Sequence, residues 1–311
     1  MYPLKFKPVY KEKIWGGPEL AKFRESTPPG NFGESWEISC HPEGVNEVAN
    51  GEYAGMKFDD LLKIKAKEIL GTSLEKEGFQ LLVKIINSND KLSIQVHPDD
   101  NYAREIESEK NGKNEIWYVL DTRDDAELVI GFDNCDKDTF IEKLKYGNVE
   151  ECFKRKKVKK GDVYFVKSGL VHAINKGILL VEIQQSSDLT YRIYDYGRGR
   201  ELHIDKALDV IDYELQSPLI TGKLHKMQDR EILRYFKGSN FTIEKVRTEM
   251  GFEDESDESR YHVFVCIEGE CDIAYNGNEI EKMKKGESVL IPASLGKYRI
   301  IGNVEFIKAY V

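Results

Sequence analysis

From Leu92 to His97 the chain alternates. Leu92, Ile94 and Val96 are apolar, and Ser93, Gln95 and His97 are polar. Successive side chains of a strand point to opposite faces. One face of this stretch therefore meets a core, and the other presents a hydroxyl, an amide and an imidazole. Pro98 cannot donate to a ladder and ends the strand. The pattern predicts further strands over 33–39, with Trp36 and Ile38 on one face, and over 113–120, with Lys113, Glu115 and Trp117 on one face. Apolar runs at 81–86, 163–166 and 178–185, and the segment 191–196, continue the series. So do 241–246, 262–267, 271–275, 288–291 and 304–310. Short strands divided by turn residues are the rhythm of a β-sandwich or barrel. Helical periodicity marks 57–70, stopped by Gly71, together with 138–157 and one or two turns at 204–211. Asp99, Asp100 and Asn101 offer caps for a short charged helix ending near Gly112. The stretch 216–238 carries few periodic signals and reads as a connector.

The segment Gly161-Asp162-Val163-Tyr164-Phe165-Val166-Lys167 lines up with Gly286-Glu287-Ser288-Val289-Leu290-Ile291-Pro292 at an offset of 125 residues. A turn glycine, an acidic residue and an apolar strand recur in that order. His172 falls on Lys297, so of two related units only the first keeps this imidazole. The expected division is a larger unit over 1–230 and a C-terminal β unit over 236–311 that binds no metal.

The 311 residues are long enough for one large domain or two modest ones. The net charge of −9 argues against nucleic acid as the main partner. No apolar run approaches the roughly 20 residues needed to cross a bilayer, and the first residues have no apolar signal core. A cytoplasmic protein is expected. The five cysteines, Cys40, Cys135, Cys152, Cys266 and Cys271, are scattered without a Cys-x-x-Cys, so reduced thiols are expected and no disulfide framework or cysteine zinc site. The run Lys154-Arg155-Lys156-Lys157 reads as a solvated face.

Candidate chemistry gathers on three segments. Gln95 and His97 share a strand face, Glu115 lies on the next strand, and His172 stands eleven residues after Gly161. Two imidazoles, a carboxylate and an amide suit a divalent ion such as Zn²⁺ with a position left open for water or substrate.

The segment Gly161-x5-Lys167-Ser168-Gly169-x2-His172-x2-Asn175 resembles the second cupin motif, with Lys167 in place of its proline and the last spacing one short. In the first cupin motif, Gln95 stands for one histidine. Seventeen residues separate His97 from Glu115, which leaves room for an inserted helix. That departure is similar to the type I phosphomannose isomerases. The segment Leu92-Ser93-Ile94-Gln95-Val96-His97-Pro98-Asp99 resembles their metal-site signature, and Lys113-Asn114-Glu115 their Lys-x-Glu. Ser186-Ser187-Asp188-Leu189-Thr190-Tyr191-Arg192 resembles their Asn-Ser-Asp-x-Thr-x-Arg. Trp15-Gly16-Gly17 and Gly33-Glu34-Ser35-Trp36-Glu37 are also similar. The match follows residues 5–200 in order and looks like the short bacterial form, without a large helical domain.

The resemblance implies a mainly β fold: a cupin (jelly-roll) barrel with helical insertions, plus a second, degenerate cupin-like unit. It implies Gln95, His97, Glu115 and His172 around one Zn²⁺ per chain, and Arg192 in the active site. It also implies a small-molecule sugar phosphate as partner, with no nucleic acid and no membrane, and a monomer or homodimer. Isomerising mannose 6-phosphate to fructose 6-phosphate moves a proton between C2 and C1 through an enediol. That needs a cationic or Lewis-acid group at O1 and O2, a base, and a positive site for phosphate. Lys113 and Arg192 are the cationic candidates. Ser93 is a hydrogen-bond donor to phosphate, and Asp188 either orients Arg192 or carries a proton. Two other classes stay open: an Fe(II) cupin dioxygenase, and a sugar-phosphate-binding cupin without turnover.

Overall fold

The computed structural model describes residues 1–238 and 241–311, and strands dominate it. Six strands form one sheet in the order Val163–Val166, Glu115–Thr122, Ile178–Gln185, Leu81–Ser88, Phe32–Ile38 and Val9–Gly17. Five form another: Tyr191–Tyr194, Ile94–Val96, His172–Ile174, Glu127–Phe132 and Phe153–Lys157. The two sheets pack face to face. Trp117 and Val119 of the first share a buried cluster with Leu128, Ile130 and Ile174 of the second. All eight residues of Ile178–Gln185 and of Leu81–Ser88 are buried, as expected of strands covered on both faces. The mainly β class agrees with the sequence, but the expected barrel is not closed. Among the described residues the ladders remain three separate sheets.

The third sheet has eleven strands and holds the C-terminal segment, built on the long strand His262–Tyr275. It also takes in the strand Leu4–Lys7, with Leu4 opposite Leu290 and Lys5 opposite Val289. One apolar cluster runs from Leu4 and Phe6 through Leu81 and Val83 to Val263 and Leu290, joining this sheet to the six-stranded one. The helix Phe58–Leu70 buries Phe58, Leu61, Ile69 and Leu70 there. Gly71 ends it at a φ of 92°, where its missing Cβ lets the backbone pass against Ser259.

The internal echo survives as structure. Ser288–Ile291 follows Gly286 as Val163–Val166 follows Gly161, and both glycines have positive φ (81° and 90°). Lys297 is exposed at the start of its strand. Its buried neighbour Tyr298 donates a hydrogen bond to Asp254 Oδ2 at 3.1 Å, and Lys308 Nζ meets that oxygen at 3.0 Å.

Three expectations fail. The helical pattern over 138–157 holds only for Lys137–Tyr146, because Gly147 turns left-handed (φ 76°) and closes it. The basic run then lies on the edge strand Phe153–Lys157, mostly exposed. The connector over 216–238 contains the strands Lys223–Lys226 and Glu231–Lys237. The first is exposed at every position and so shows no apolar alternation. Finally, Cys135 and Cys152 form a disulfide, their Cα atoms 5.3 Å apart across the fold-back of Lys137–Tyr146. A span of seventeen residues without a motif gave no sign of that approach.

Candidate metal centre and substrate cavity

Register carries the candidate ligands to one place. His172 stands directly opposite Gln95 on one side, and Arg192 stands opposite Gln95 on the other. Glu115 comes from the facing sheet, at the end of a ladder that pairs it with Val166 and Gln184. Asn114 locks this corner: its Oδ1 accepts from Ser168 N at 3.0 Å, and its Nδ2 donates to Gln185 Oε1 at 2.6 Å.

The result is a buried knot of donors. His97 Nε2 lies 3.1 Å from His172 Nε2 and 3.2 Å from Glu115 Oε1. The amide end of Gln95 is 3.4 Å from His172 Nε2. Ligand atoms of His97, Glu115 and His172 all fall within 4.8 Å of one another. His172 Nδ1 donates to the Leu170 carbonyl at 2.8 Å, which leaves the Nε2 lone pair facing inward. Glu115 Oε2 is buried with no partner, and Oε1 has only Lys113 and His97 beside it. A buried carboxylate with one oxygen unpartnered is costly, and a cation between the three side chains satisfies it. Two imidazoles and a carboxylate fit a divalent metal.

Electrostatics fit as well. Burial, followed by the Lys113 charge, pushes His97 down to about 3, and burial lowers His172, so both imidazoles are neutral, as ligands must be. Burial alone would raise Glu115, but the adjacent Lys113 charge holds it well below the carboxylate range. Lys113 Nζ lies 3.1 Å from Glu115 Oε1.

The knot forms one wall of a cavity of about 270 Å³. Ser93, Gln95, Lys113, His172, Asp188 and Arg192 all line it, so the structure brings together the residues named from sequence. His97 and Glu115 sit just behind that surface. Arg192 Nε donates to Ser93 Oγ at 3.3 Å. Asp188 is not the partner of Arg192: its Oδ1 accepts from Lys84 Nζ at 3.4 Å, at the cavity mouth. A larger cleft of about 570 Å³, bordered by Tyr118, Arg123, Lys160 and Glu268, lies elsewhere and holds none of these groups.

Sequence reading missed Lys84 and Glu182. They sit opposite each other on adjacent strands, both buried, with Nζ 3.6 Å from Glu182 Oε1. Trp117 Nε1 donates to the other carboxylate oxygen at 3.0 Å. Burial, then the nearby Glu115 charge, raises Glu182 to about 7 against the pull of Lys84. Charged residues inside two otherwise apolar strands were the available signal.

Residues 3–135 match the family model described as phosphomannose isomerase type I, catalytic domain, and residues 231–311 match mannose-6-phosphate isomerase, cupin domain. A mannose-6-phosphate isomerase of Bacillus subtilis (strain 168) is 36% identical over 315 residues, covering 99% of each chain. The chain belongs to the type I phosphomannose isomerase family. Its similarity to a mannose-6-phosphate isomerase of Streptococcus mutans is 35% over 315 residues, with 99% of this chain and 98% of the other covered. A crystal structure of the mannose 6-phosphate isomerase from Bacillus subtilis superimposes with a TM-score of 0.93 at 34% identity over all of both chains. A putative mannosephosphate isomerase from Archaeoglobus fulgidus, 20% identical, has the same fold with a TM-score of 0.81, covering 100% of this chain and 98% of that one. The type I phosphomannose isomerase framework thus extends across both sequence units.

Proposed function

We propose that the chain is a metal-dependent aldose–ketose isomerase interconverting D-mannose 6-phosphate and D-fructose 6-phosphate. The observation that carries this reading is the opening of the His97–Glu115–His172 knot into a cavity that also holds Lys84, Glu182, Lys113 and Arg192. Family membership gives the reaction its name, and the donor set favours zinc, one ion per chain.

His97, Glu115 and His172 hold the metal, with Gln95 as the fourth donor. When bound, the ion supplies Lewis acidity beside the sugar's O1 and O2. Glu182 is the acid–base group. Its raised proton affinity lets it take a proton from C2 of mannose 6-phosphate and return it at C1 near neutral pH. Trp117 and Lys84 fix the carboxylate so that proton transfer needs no reorientation. Lys113 and Arg192 stabilise negative charge on the enediolate, and Ser93 steadies Arg192. Asp188 orients Lys84 at the mouth. Every group named comes from one chain, so a monomer is sufficient for turnover and a homodimer is compatible with it. A cytoplasmic location belongs to the same reading; no helix of the described residues is long and apolar enough to cross a membrane.

Incubation with mannose 6-phosphate, with fructose 6-phosphate assayed over time, tests the reading. The expected result is turnover that a chelator abolishes and a divalent metal restores. Saturable binding without turnover identifies a sensor, and oxygen uptake with Fe(II) identifies a dioxygenase. Either result overturns the proposal.

A further inference from the structure

The strand carrying Arg192 continues into a tight turn at Tyr196, Gly197 and Gly199, all at positive φ (56°, 75° and 78°). The chain then doubles back along that strand. Arg192 Nη1 donates to the Glu201 carbonyl at 2.8 Å, Arg192 N donates to His203 Nδ1 at 3.1 Å, and His203 N donates to the Arg192 carbonyl at 2.8 Å. This return brings Arg200 to the same cavity wall as Arg192.

Arg200 is held there by a fork. Its Nε donates to Asp195 Oδ2 at 2.8 Å, and its Nη2 donates to Asp195 Oδ1. The Asp195 side chain is 3% exposed and that of Arg200 is 29% exposed, so the anchor is buried and the guanidinium is open. Burial, followed by the adjacent Arg200 charge, lowers Arg192. Among the described residues Arg192 has no acidic partner within ion-pair reach, whereas the other cations of the cavity are engaged: Lys13 with Glu34, Lys84 with Glu182 and Asp188, and Lys113 with Glu115. Nη2 of Arg192 and Nη1 of Arg200 also lack protein partners among the described residues. Two guanidinium groups held close together with donors unspent are arranged for an anion with several acceptor oxygens.

We propose that Arg200, fixed by Asp195, is a phosphate-binding residue that forms with Arg192 the anion clamp of the substrate cavity, and that Asp195 is its positioning residue. The proposal deepens the isomerase reading and rests on it for the identity of the sugar. The clamp grips the phosphoryl group equally in the ground state and the transition state, so its loss acts on KM.

The test compares wild type with Arg200→Ala, Arg200→Lys and Asp195→Asn, in metal-loaded protein of verified thermal stability. Calorimetry with inorganic phosphate measures the clamp without turnover, and steady-state kinetics with mannose 6-phosphate measure it during turnover. In Arg200→Ala both the phosphate Kd and KM are expected to rise about tenfold or more with kcat within about twofold of wild type. Arg200→Lys, which keeps the charge and loses the fork, falls between, and Asp195→Asn follows it. An unchanged phosphate Kd in a folded Arg200→Ala or Arg200→Lys protein overturns the proposal. So does a fall in kcat at constant KM. If wild type binds phosphate but does not turn over mannose 6-phosphate, the isomerase reading fails, and the calorimetric arm still decides whether Arg200 belongs to an anion site.

Discussion

Lys84 Nζ and Glu182 Oε1 face each other at 3.6 Å from directly opposed positions on neighbouring strands, both buried. A carboxylate and an ammonium in a core are retained at a cost in desolvation. Here they border the substrate cavity. Glu182→Gln keeps the shape and the Trp117 contact but cannot take a proton. It is expected to lower kcat by about 10²- to 10⁴-fold with metal content unchanged, as checked by steady-state kinetics alongside metal analysis. Wild-type turnover in this variant would remove Glu182 from the proton transfer.

Glu115→Gln removes the negative charge from the metal knot and places a neutral amide beside Lys113. Metal occupancy and turnover should fall together. Elemental analysis against activity across a metal titration checks the coupling. Full activity in a chelator-treated sample free of metal would contradict it.

Arg192→Lys keeps a charge but loses the planar fork. Because Arg192 stands opposite Gln95, beside the knot, and also shares the anion clamp with Arg200, its loss is expected both to lower kcat and to raise KM. The fall in kcat is what separates it from Arg200. A raised KM at constant kcat would instead make Arg192 a simple phosphate holder.

How much of this was legible follows from what each residue does locally. Gln95, His97, Glu115 and His172 stand out because polar side chains of metal-binding type sit on alternating strand faces, and period two is readable in a short window. The pairing of Lys84 with Glu182 depends on register between strands about a hundred residues apart, which no local window contains. The strands Lys223–Lys226 and Glu279–Lys284 were missed because exposed or edge strands carry charge where buried ones carry apolar residues. Arg200 escaped notice because its place depends on a turn that brings it back beside Arg192.

His262 gives a pH signature away from the metal. It is 7% exposed, with Nδ1 lacking a partner, and burial followed by the Lys308 charge pushes it down to about 3; Asp254, Asp257 and Arg260 are the other charges acting on it. The folded state holds the neutral ring, so this contribution is complete above the ordinary value of 6.5 and is lost as pH falls from there toward about 3. Urea unfolding at pH 7 and pH 4.5 should show a loss about 2 kcal/mol larger in wild type than in His262→Phe. Parallel losses in both proteins would show that this ring does not contribute.

The Cys135–Cys152 bond closes a short loop over Lys137–Tyr146. Removing a cross-link of this size costs about 3 kcal/mol through the entropy regained by the unfolded chain. Cys135→Ser is therefore expected to lower the melting temperature, and reductant to do the same for wild type only. Thiol titration of the denatured, unreduced protein checks the bond directly: three reactive thiols are expected, from Cys40, Cys266 and Cys271. Five would mean that the pair is reduced.

The strand Leu4–Lys7 pairs with Ser288–Ile291 and with Glu47–Val48, in a sheet whose other strands come from the C-terminal segment. A ribosome makes this strand long before its partner Ser288–Ile291. Until then Leu4, which ends up buried, has no partner strand. Vectorial synthesis cannot complete this edge before the C-terminal strands emerge. A nascent chain stalled short of residue 288 would display an unpaired apolar edge, a substrate for chaperones or for self-association. Through this one strand, the C-terminal segment sets the moment at which the N-terminal segment can finish folding.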